Sequence, residues 1–201
     1  MIVAIDTSAA IAVTVTDDDA VVPLAHRSVF SPRGHAELLS DLIRQSLDEA
    51  GATRADVTAV VVGTGPAPFT GLRVGLVTAR TLAFAWNVPV WGVCSLDAIG
   101  AERGDVLAVA DARRREVYWA RYVNGIRVEG PEVGAAASVV VHDGELVVGR
   151  GAGLYPDAFP GAIEGDPDPF WLAKEAVRRR GKGEDLPTEP LYLRRPDVHG
   201  A

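Results

Sequence analysis

Any chemistry in this sequence would begin at Asp6-Thr7-Ser8, where the first apolar run ends. A carboxylate followed by two hydroxyls at a strand turn has the makings of a phosphate-facing hairpin, with Asp6 acting through Mg²⁺ and Ser8 bonding a phosphate oxygen. The same residues equally suit a polar turn that satisfies its own backbone. A second candidate is the loop Gly63-Thr64-Gly65-Pro66-Ala67-Pro68-Phe69. It precedes a helical pattern, and a helix start offers unpaired N–H groups and a positive dipole end to an anion. The loop matches neither G-x-x-x-x-G-K-[ST] nor G-x-G-x-x-G. Ala67 disfavours positive φ and Pro68 fixes φ, so the loop is stiff and poorly able to wrap a phosphate. Asp6, Thr7, Ser8 and Gly65 are accordingly assigned to a vestigial nucleotide cleft, with weak ATP or ADP binding and no required cofactor.

The usual reactive side chains are sparse. His26, His35, His142 and His199 form no i,i+4 pair, and no Cys/His cluster has metal-ligand spacing, so no metal site is assigned. Cys94 is the one cysteine. A thiol nucleophile needs a histidine and an orienting group beside it, which nothing in the spacing requires, and a buried thiol is the simpler reading. The run Arg178-Arg179-Arg180 with Lys182 could meet RNA phosphate, although a basic run at a helix end is more often solvated and helped by the helix dipole. Asp111 to Tyr118 brings carboxylates and arginines together in a turn and strand, with charges in solvent or in salt bridges between lobes. No catalytic residue is assigned.

The elements that would position these residues follow from periodicity. Ile2 to Asp6, Ile11 to Thr16 and Val21 to Arg27 read as an antiparallel meander with a turn at Asp17 to Asp19. Pro32 suits a helix start; Leu38, Leu39, Leu42, Ile43, Leu47 and Ala50 then recur at helical spacing until Gly51. Val57 to Val62 is a β-branched run of the kind buried on both faces. The Gly/Pro loop leads to Thr70 as N-cap of a helix to Trp86, then a strand Val90 to Val93 and a helix from Ser95 to about Ala101. The order βββαβαβα predicts an α/β fold of the ribonuclease-H-like, actin-like ATPase type, with a full lobe over 1–104. From Asp105 the pattern turns β-rich, with Val106 to Ala110, Glu116 to Val123 and an Asn124-Gly125 hairpin turn, and Phe170 to Arg180 reads as a helix. Residues 105–201 are read as a reduced second lobe.

The second helix carries Gly71, Gly75, Ala79 and Ala83 four residues apart, beside Leu72, Val74, Leu76, Val77 and Leu82. A helix apolar on most sides must be covered on most sides, and a small-residue stripe admits a close neighbour. The stripe is read as facing a partner, with the interface at Leu38, Leu42, Gly71, Leu72, Gly75, Thr78, Ala79 and Leu82. On that reading Gly75→Leu weakens pairing and leaves the monomer folded.

With 201 residues, 48% hydrophobic and 23% charged, the chain is long enough and apolar enough for a real core. A net charge of -7 gives no bulk attraction for nucleic acid, so a partner would supply most of any grip on RNA. No signal peptide pattern opens the sequence and Asn87 and Pro89 interrupt the longest apolar stretch, which points to the cytosol and away from a membrane.

Gly65-Pro66-Ala67-Pro68-Phe69-Thr70-Gly71-Leu72-Arg73-Val74-Gly75 resembles the signature G-P-G-S-F-T-G-L-R-I-G of the TsaB (YeaZ) family, with Ala67 and Pro68 as its clearest departures. Ala4-Ile5-Asp6-Thr7-Ser8, Asp111-Ala112-Arg113-Arg114-Arg115-Glu116-Val117-Tyr118 and Pro190-Leu191-Tyr192-Leu193-Arg194 resemble the same family in the same order. The resemblance implies a non-catalytic subunit of the bacterial machinery that places threonylcarbamoyl on adenosine 37 of tRNA. It implies pairing with a TsaD-type catalytic subunit through the helices at 34–50 and 70–86, a TsaE-type ATPase in the assembly, tRNA reached through the complex, and a homodimer when alone. TsaD, the catalytic paralog, carries a metal-binding V-N-H-x-x-x-H after the corresponding strand. Here Ser95 and Ile99 stand at the two histidine positions. A rival reading is a small ATP-dependent phosphotransferase of the same fold, which needs a two-lobed nucleotide clamp and a general base. A protease would need a metal or nucleophile that the sequence does not display.

Overall fold

The computed structural model describes residues 1–31 and 35–194. Pro32 as a helix start, Gly34 as the first residue of the expected interface helix, and His199 lie outside the described residues. Strands β1 (Ile2–Asp6), β2 (Ile11–Thr16) and β3 (Pro23–Val29) form the expected antiparallel meander. β3 starts two residues late because the N–H groups of Val21 and Val22 donate to the Asp17 carboxylate, 2.8 and 2.7 Å away, instead of entering the ladder. Helix α1 (His35–Glu49) stops at Gly51, whose φ of 62° suits a residue without Cβ. β4 (Ala59–Gly63) runs parallel to β1, α2 (Phe69–Trp86) crosses over, and β5 (Val90–Val93) runs parallel to β4 before α3 (Ser95–Arg103). The sheet order is β3-β2-β1-β4-β5. Pro68, not Thr70, precedes the first helical residue of α2 and makes no side-chain cap. A proline there is already fixed at a helix-compatible φ and has no N–H to leave unpaired.

A second sheet follows, of order β8-β7-β6-β9, from β6 (Val106–Asp111), β7 (Glu116–Val123), β8 (Ile126–Ala135) and β9 (Val147–Val148), with the short helix α4 (Arg150–Gly153). Asn124 and Gly125 close the β7–β8 hairpin with φ of 51° and 73°, as the dipeptide predicts.

The alternation of side chains along the first sheet decides where the rest of the chain goes. Val3, Ile5, Val60 and Val62 face α1 and α2, while Ile2, Ala4, Ala59 and Val61 face the opposite way. That second face also needs cover, and helix α5 (Pro169–Gly181) supplies it through Leu172, Ala173 and Ala176. The assignment of all of 105–201 to the second lobe is therefore corrected: α5 completes the core of the first. Beyond it an extended strap follows the edge of β5. Gly92 N donates to Leu186 O (3.0 Å), Arg80 Nε to Thr188 Oγ1 (2.8 Å), and Leu191 N to Thr64 O (2.9 Å), which closes an edge that would otherwise be open to pairing. At its end Arg194 donates to Ala112 O (2.8 Å) and pairs with Glu116 (2.6 Å) at the β6–β7 turn.

The small-residue stripe of α2 also faces inward. Leu72 and Ala79 are 0% exposed, Ala83 and Gly75 are buried, and a Cβ on Gly75 would overlap Thr7 Oγ1. Gly75→Leu is thus expected to destabilise the monomer, by at least the ~1–3 kcal/mol typical of overpacking. Urea unfolding of the purified chain measures this; an unchanged midpoint would mean that the Thr7–Gly75 approach has slack.

Candidate functional site

Three loops meet at the carboxyl ends of β1, β4 and β5, and Asp6 sits at their centre, buried. Its Oδ1 accepts from Ser8 N (2.8 Å) and Ser8 Oγ (2.6 Å), and its Oδ2 from Ser95 Oγ (2.6 Å). Ser95 Oγ in turn accepts from Gly65 N (3.1 Å), and Ser95 N donates to Gly65 O (2.7 Å). Gly63 lies so close that any Cβ there would overlap the Asp6 carboxylate. Burial raises the Asp6 carboxyl from 3.8 to about 6, against the lowering effect of the hydrogen bonds from Ser8 and Ser95. The sequence-assigned Asp6, Ser8 and Gly65 are therefore brought together, but by Ser95, which reaches Asp6 from 89 residues away in the chain. Thr7 goes elsewhere: its hydroxyl donates to Gly71 O (2.9 Å) and fastens the hairpin to the first turn of α2. Ile99, at the other paralog histidine position, is buried among Cys94, Leu96 and Val106.

In front of Asp6 a cleft opens between the two sheets. A cavity of about 720 Å³ is lined by Thr7, Ser8, Phe30, Glu37, Phe69 and Arg113 among others, and an adjoining one of about 320 Å³ by Asp111, Arg150, Glu164 and Asp166 among others. The charge of this lining does not favour a nucleoside triphosphate. Both Asp6 oxygens are engaged within the protein. Arg150 is held by Asp166 (2.9 and 2.7 Å), Arg113 lies 3.4 Å from Asp111, and Glu37 and Glu164 add further negative charge.

Opposite the Asp6 hairpin stands its counterpart. Asp111 ends β6 as Asp6 ends β1, and Asp111 Oδ1 accepts from Arg113 N at 2.8 Å, the same i+2 contact that Asp6 makes with Ser8 N. The turn that follows is unlike the first. Arg113, Arg114 and Arg115 all have positive φ, of 65°, 55° and 65°. In residues with a Cβ such a conformation costs about 1–2 kcal/mol each, and glycine would occupy it freely. The run of arginines was visible in the sequence; its left-handed backbone was not.

Of the eight interface positions expected, the structure buries Leu72, Gly75 and Ala79 against the chain's own sheet, so these are corrected from partner contacts to core. Helix and sheet approach closely where side chains are small, and that requirement writes the same i,i+4 stripe as a helix–helix contact. Leu38, Leu42, Thr78 and Leu82 are half-buried, and Gly71 spends its carbonyl on Thr7. The outward face of α2 consists instead of Arg73, Val77, Arg80, Thr81 and Phe84, with Val77 62% and Phe84 90% exposed. Spaced by seven, these two apolar side chains share one face.

The other reactive candidates are occupied structurally. Burial, followed by the nearby Asp97 charge, pushes the Cys94 thiol up to about 12, far from a thiolate. In the basic run, Arg178 pairs with Glu175 (2.5 Å) and Arg179 with Asp97 (2.6 Å), while Arg180 donates to Glu184 O. His26 is raised by Asp168, which also caps α5 through Phe170 N (2.9 Å).

A meander-first mixed sheet with two strand–helix–strand crossovers, facing a smaller sheet across a cleft, defines the actin-like ATPase (ribonuclease-H-like) fold. Comparison with known proteins narrows this. The family model described as TsaD, tRNA N6-adenosine threonylcarbamoyltransferase, matches residues 28–155. A crystal structure from Pseudomonas aeruginosa, of an uncharacterised protein with similarity to peptidase YEAZ, superposes with a TM-score of 0.81 at 30% identity, covering 96% of this chain and 99% of that one. An uncharacterised protein of Mycobacterium tuberculosis is 46% identical over 199 residues, 98% of this chain and 93% of the other. The tRNA threonylcarbamoyladenosine biosynthesis protein TsaB of Escherichia coli is 37% identical over 143 residues, 63% of this chain and 62% of its own length. The chain belongs to the TsaB (YeaZ) family.

The buried Asp6 has a measurable signature. A folded value of about 6 against 3.8 unfolded means that the folded state binds the proton more tightly, so the associated stability is complete below pH 4 and is lost as pH rises through 6. The difference amounts to about 3 kcal/mol. Between pH 5 and 8 the wild type should therefore lose stability relative to Asp6→Asn, which has no proton to release; parallel urea-unfolding curves at the two pH values for both proteins would rule this out.

Proposed function

We propose that this chain takes part in making N6-threonylcarbamoyladenosine at position 37 of tRNA, as a non-catalytic subunit that binds and activates a TsaD-type catalytic subunit. Family membership supports the pathway. One structural observation carries the partner role: α2 has its small-residue side fully used by its own sheet, yet still presents Phe84 and Val77 to solvent beside Arg73 and Arg80. An aromatic and a β-branched residue between guanidinium groups on a rigid helix have the composition of an interface centre. Half-buried Leu38 and Leu42 of α1, with Thr78 and Leu82 of α2, would extend the contact. In the absence of TsaD the same face would pair two copies of the chain, and a TsaE-type ATPase would join the assembly.

The non-catalytic assignment draws support from Ser95. Where the paralog carries a metal-binding histidine, this chain has a hydroxyl that bridges Asp6 and Gly65. The contribution to catalysis would then be a shift of TsaD toward its active conformation, made by binding that conformation more tightly. The phosphotransferase alternative gains nothing from the cleft, whose one buried carboxylate is closed off by Ser8 and Ser95, and the proposal calls for no nucleotide there. Among the described residues no helix is long and apolar enough to cross a membrane. A cytoplasmic location follows from the proposed tRNA substrate.

The direct test is threonylcarbamoyl transfer to unmodified tRNA by the cognate TsaD, TsaE and adenylate-forming enzyme, with and without this chain; transfer that proceeds equally well without it would sink the proposal. Phe84→Glu should leave the unfolding midpoint unchanged and weaken TsaD binding by about 30-fold or more, the loss associated with a residue worth ~2 kcal/mol at an interface centre. Calorimetry checks this, and unchanged affinity would move the interface off the α2 face.

A further inference from the structure

Arg73, Val77, Arg80 and Phe84 rise in one line along the outer face of α2, at helical spacings of four, three and four residues. The two apolar side chains point into solvent, while both arginines are drawn sideways onto the strap. Arg73 Nε donates to Tyr192 Oη (3.0 Å), and its guanidinium lies 5.2 Å from the Phe69 ring and 5.8 Å from the Tyr192 ring. Arg80 Nε donates to Thr188 Oγ1 (2.8 Å) and Arg80 Nη2 to Thr188 O (2.5 Å), with Glu189 3.7 Å away. The Phe84 ring, 90% exposed, is left bare.

A helix by itself would arrange these side chains differently. Helical side chains lean toward the N-terminus, over the residue four positions earlier, so Phe84 leans over Arg80 and Val77 over Arg73. At that spacing a free arginine covers its apolar neighbour with its methylene stem and stacks its guanidinium on an aromatic face. The strap withholds both arginines from that contact, and it has a seat of its own from which to do so. Leu186 is buried in the cluster that contains α5, Leu191 and Leu193 pack on the cluster of α3 and the second sheet, and Gly92 leaves the space for Pro187 O that any Cβ would fill.

We propose that the seated strap keeps the α2 ridge clear for its protein partner by holding Arg73 and Arg80 away from Val77 and Phe84. The inference deepens the partner role proposed above and rests on it. With the strap out of its seat, the arginines fold over the ridge, and a docking protein must displace and then immobilise two side chains rich in rotamers. Arg73, Arg80, Thr188 and Tyr192 are on this reading positioning residues. The coupling is reciprocal, so a partner bound to the clear ridge also holds the strap in its seat.

Gly92→Ala unseats the strap from β5 without altering any residue of α2. Affinity for the cognate TsaD-type subunit is measured by calorimetry for wild type, G92A, R73A/R80A and the triple variant, and hydrogen exchange at the Leu191 amide, which donates to Thr64 O, reads whether the strap is seated. Gly92→Ala should weaken binding about ten-fold in the wild-type background and hardly at all where both arginines are alanine, since nothing then remains to fold over the ridge. Equal losses in the two backgrounds overturn the proposal, because the strap would then touch the partner itself, and so does an unseated strap with unchanged affinity. Should Gly92→Ala fail to fold or leave the strap seated, T188V/Y192F removes the two side-chain oxygens that accept from the arginines and keeps the shapes of both residues. It should weaken binding about three-fold, because Thr188 O still holds Arg80; unchanged affinity overturns the proposal. If the wild type does not pair with a TsaD-type subunit at all, the partner role falls separately, and nuclear Overhauser contacts between the Arg80 side chain and the Phe84 ring decide on the chain alone. Contacts absent in the wild type and present in the strap variant support the proposal, and their absence from both overturns it.

Discussion

One buried carboxylate governs how the two sheets of this protein face each other. Asp97, in the first turn of α3 and 2% exposed, accepts from Tyr122 Oη of β7 (2.7 Å), Arg127 of β8 (3.1 Å) and Arg179 of α5 (2.6 Å). An ionised carboxylate held away from water must be paired, and removing one partner of a buried pair typically costs about 3–5 kcal/mol. Apolar packing would tolerate sliding of α3 over the second sheet, whereas three converging donors leave few orientations. Burial and the neighbouring Asp97 charge raise the Tyr122 hydroxyl far above its ordinary range, so it stays a donor throughout the working pH range. Gly100, one turn further along α3, lacks the Cβ that would collide with the Tyr122 ring and so allows the hairpin to come this close. The opening of the cleft, and the separation of the Asp6 and Asp111 hairpins across it, follow from this knot.

Local pattern made much of this fold legible. The meander, the two crossovers and the Asn124-Gly125 turn were readable because their signals lie within a few residues of one another. The role of the chain after Pro169 was not. Its helical periodicity was plain, but no local feature states which sheet a helix will cover. That was decided by the uncovered Ile2, Ala4, Ala59 and Val61 face more than a hundred residues earlier. The α2 stripe failed for a related reason, since small residues at i,i+4 record close approach without recording to what. At the cleft, Asp6, Ser8 and Gly65 were recognisable by type, while Ser95, which binds them into one network, reads in sequence only as a helix start. The left-handed backbone of Arg113 to Arg115 left no trace in residue types that normally avoid it.

The strap gives these separate features a common frame. Tyr192 stacks on Phe69 at 4.4 Å, its hydroxyl accepts from Arg73 Nε (3.0 Å), and Arg73 lies against both rings. Two residues further on, Arg194 grips Ala112 O and Glu116, immediately flanking the arginine turn. The first turn of α2 and the β6–β7 turn, which belong to different sheets, are thus joined by a short extended segment with side-chain contacts at both ends. An extended chain of so few residues can neither stretch nor rotate much without breaking one of them. The outer face of α2 therefore stands at a set distance and angle from the β6–β7 turn. The strap holds the two in fixed register, so that the two sheets keep one spacing across the cleft between the Asp6 and Asp111 hairpins.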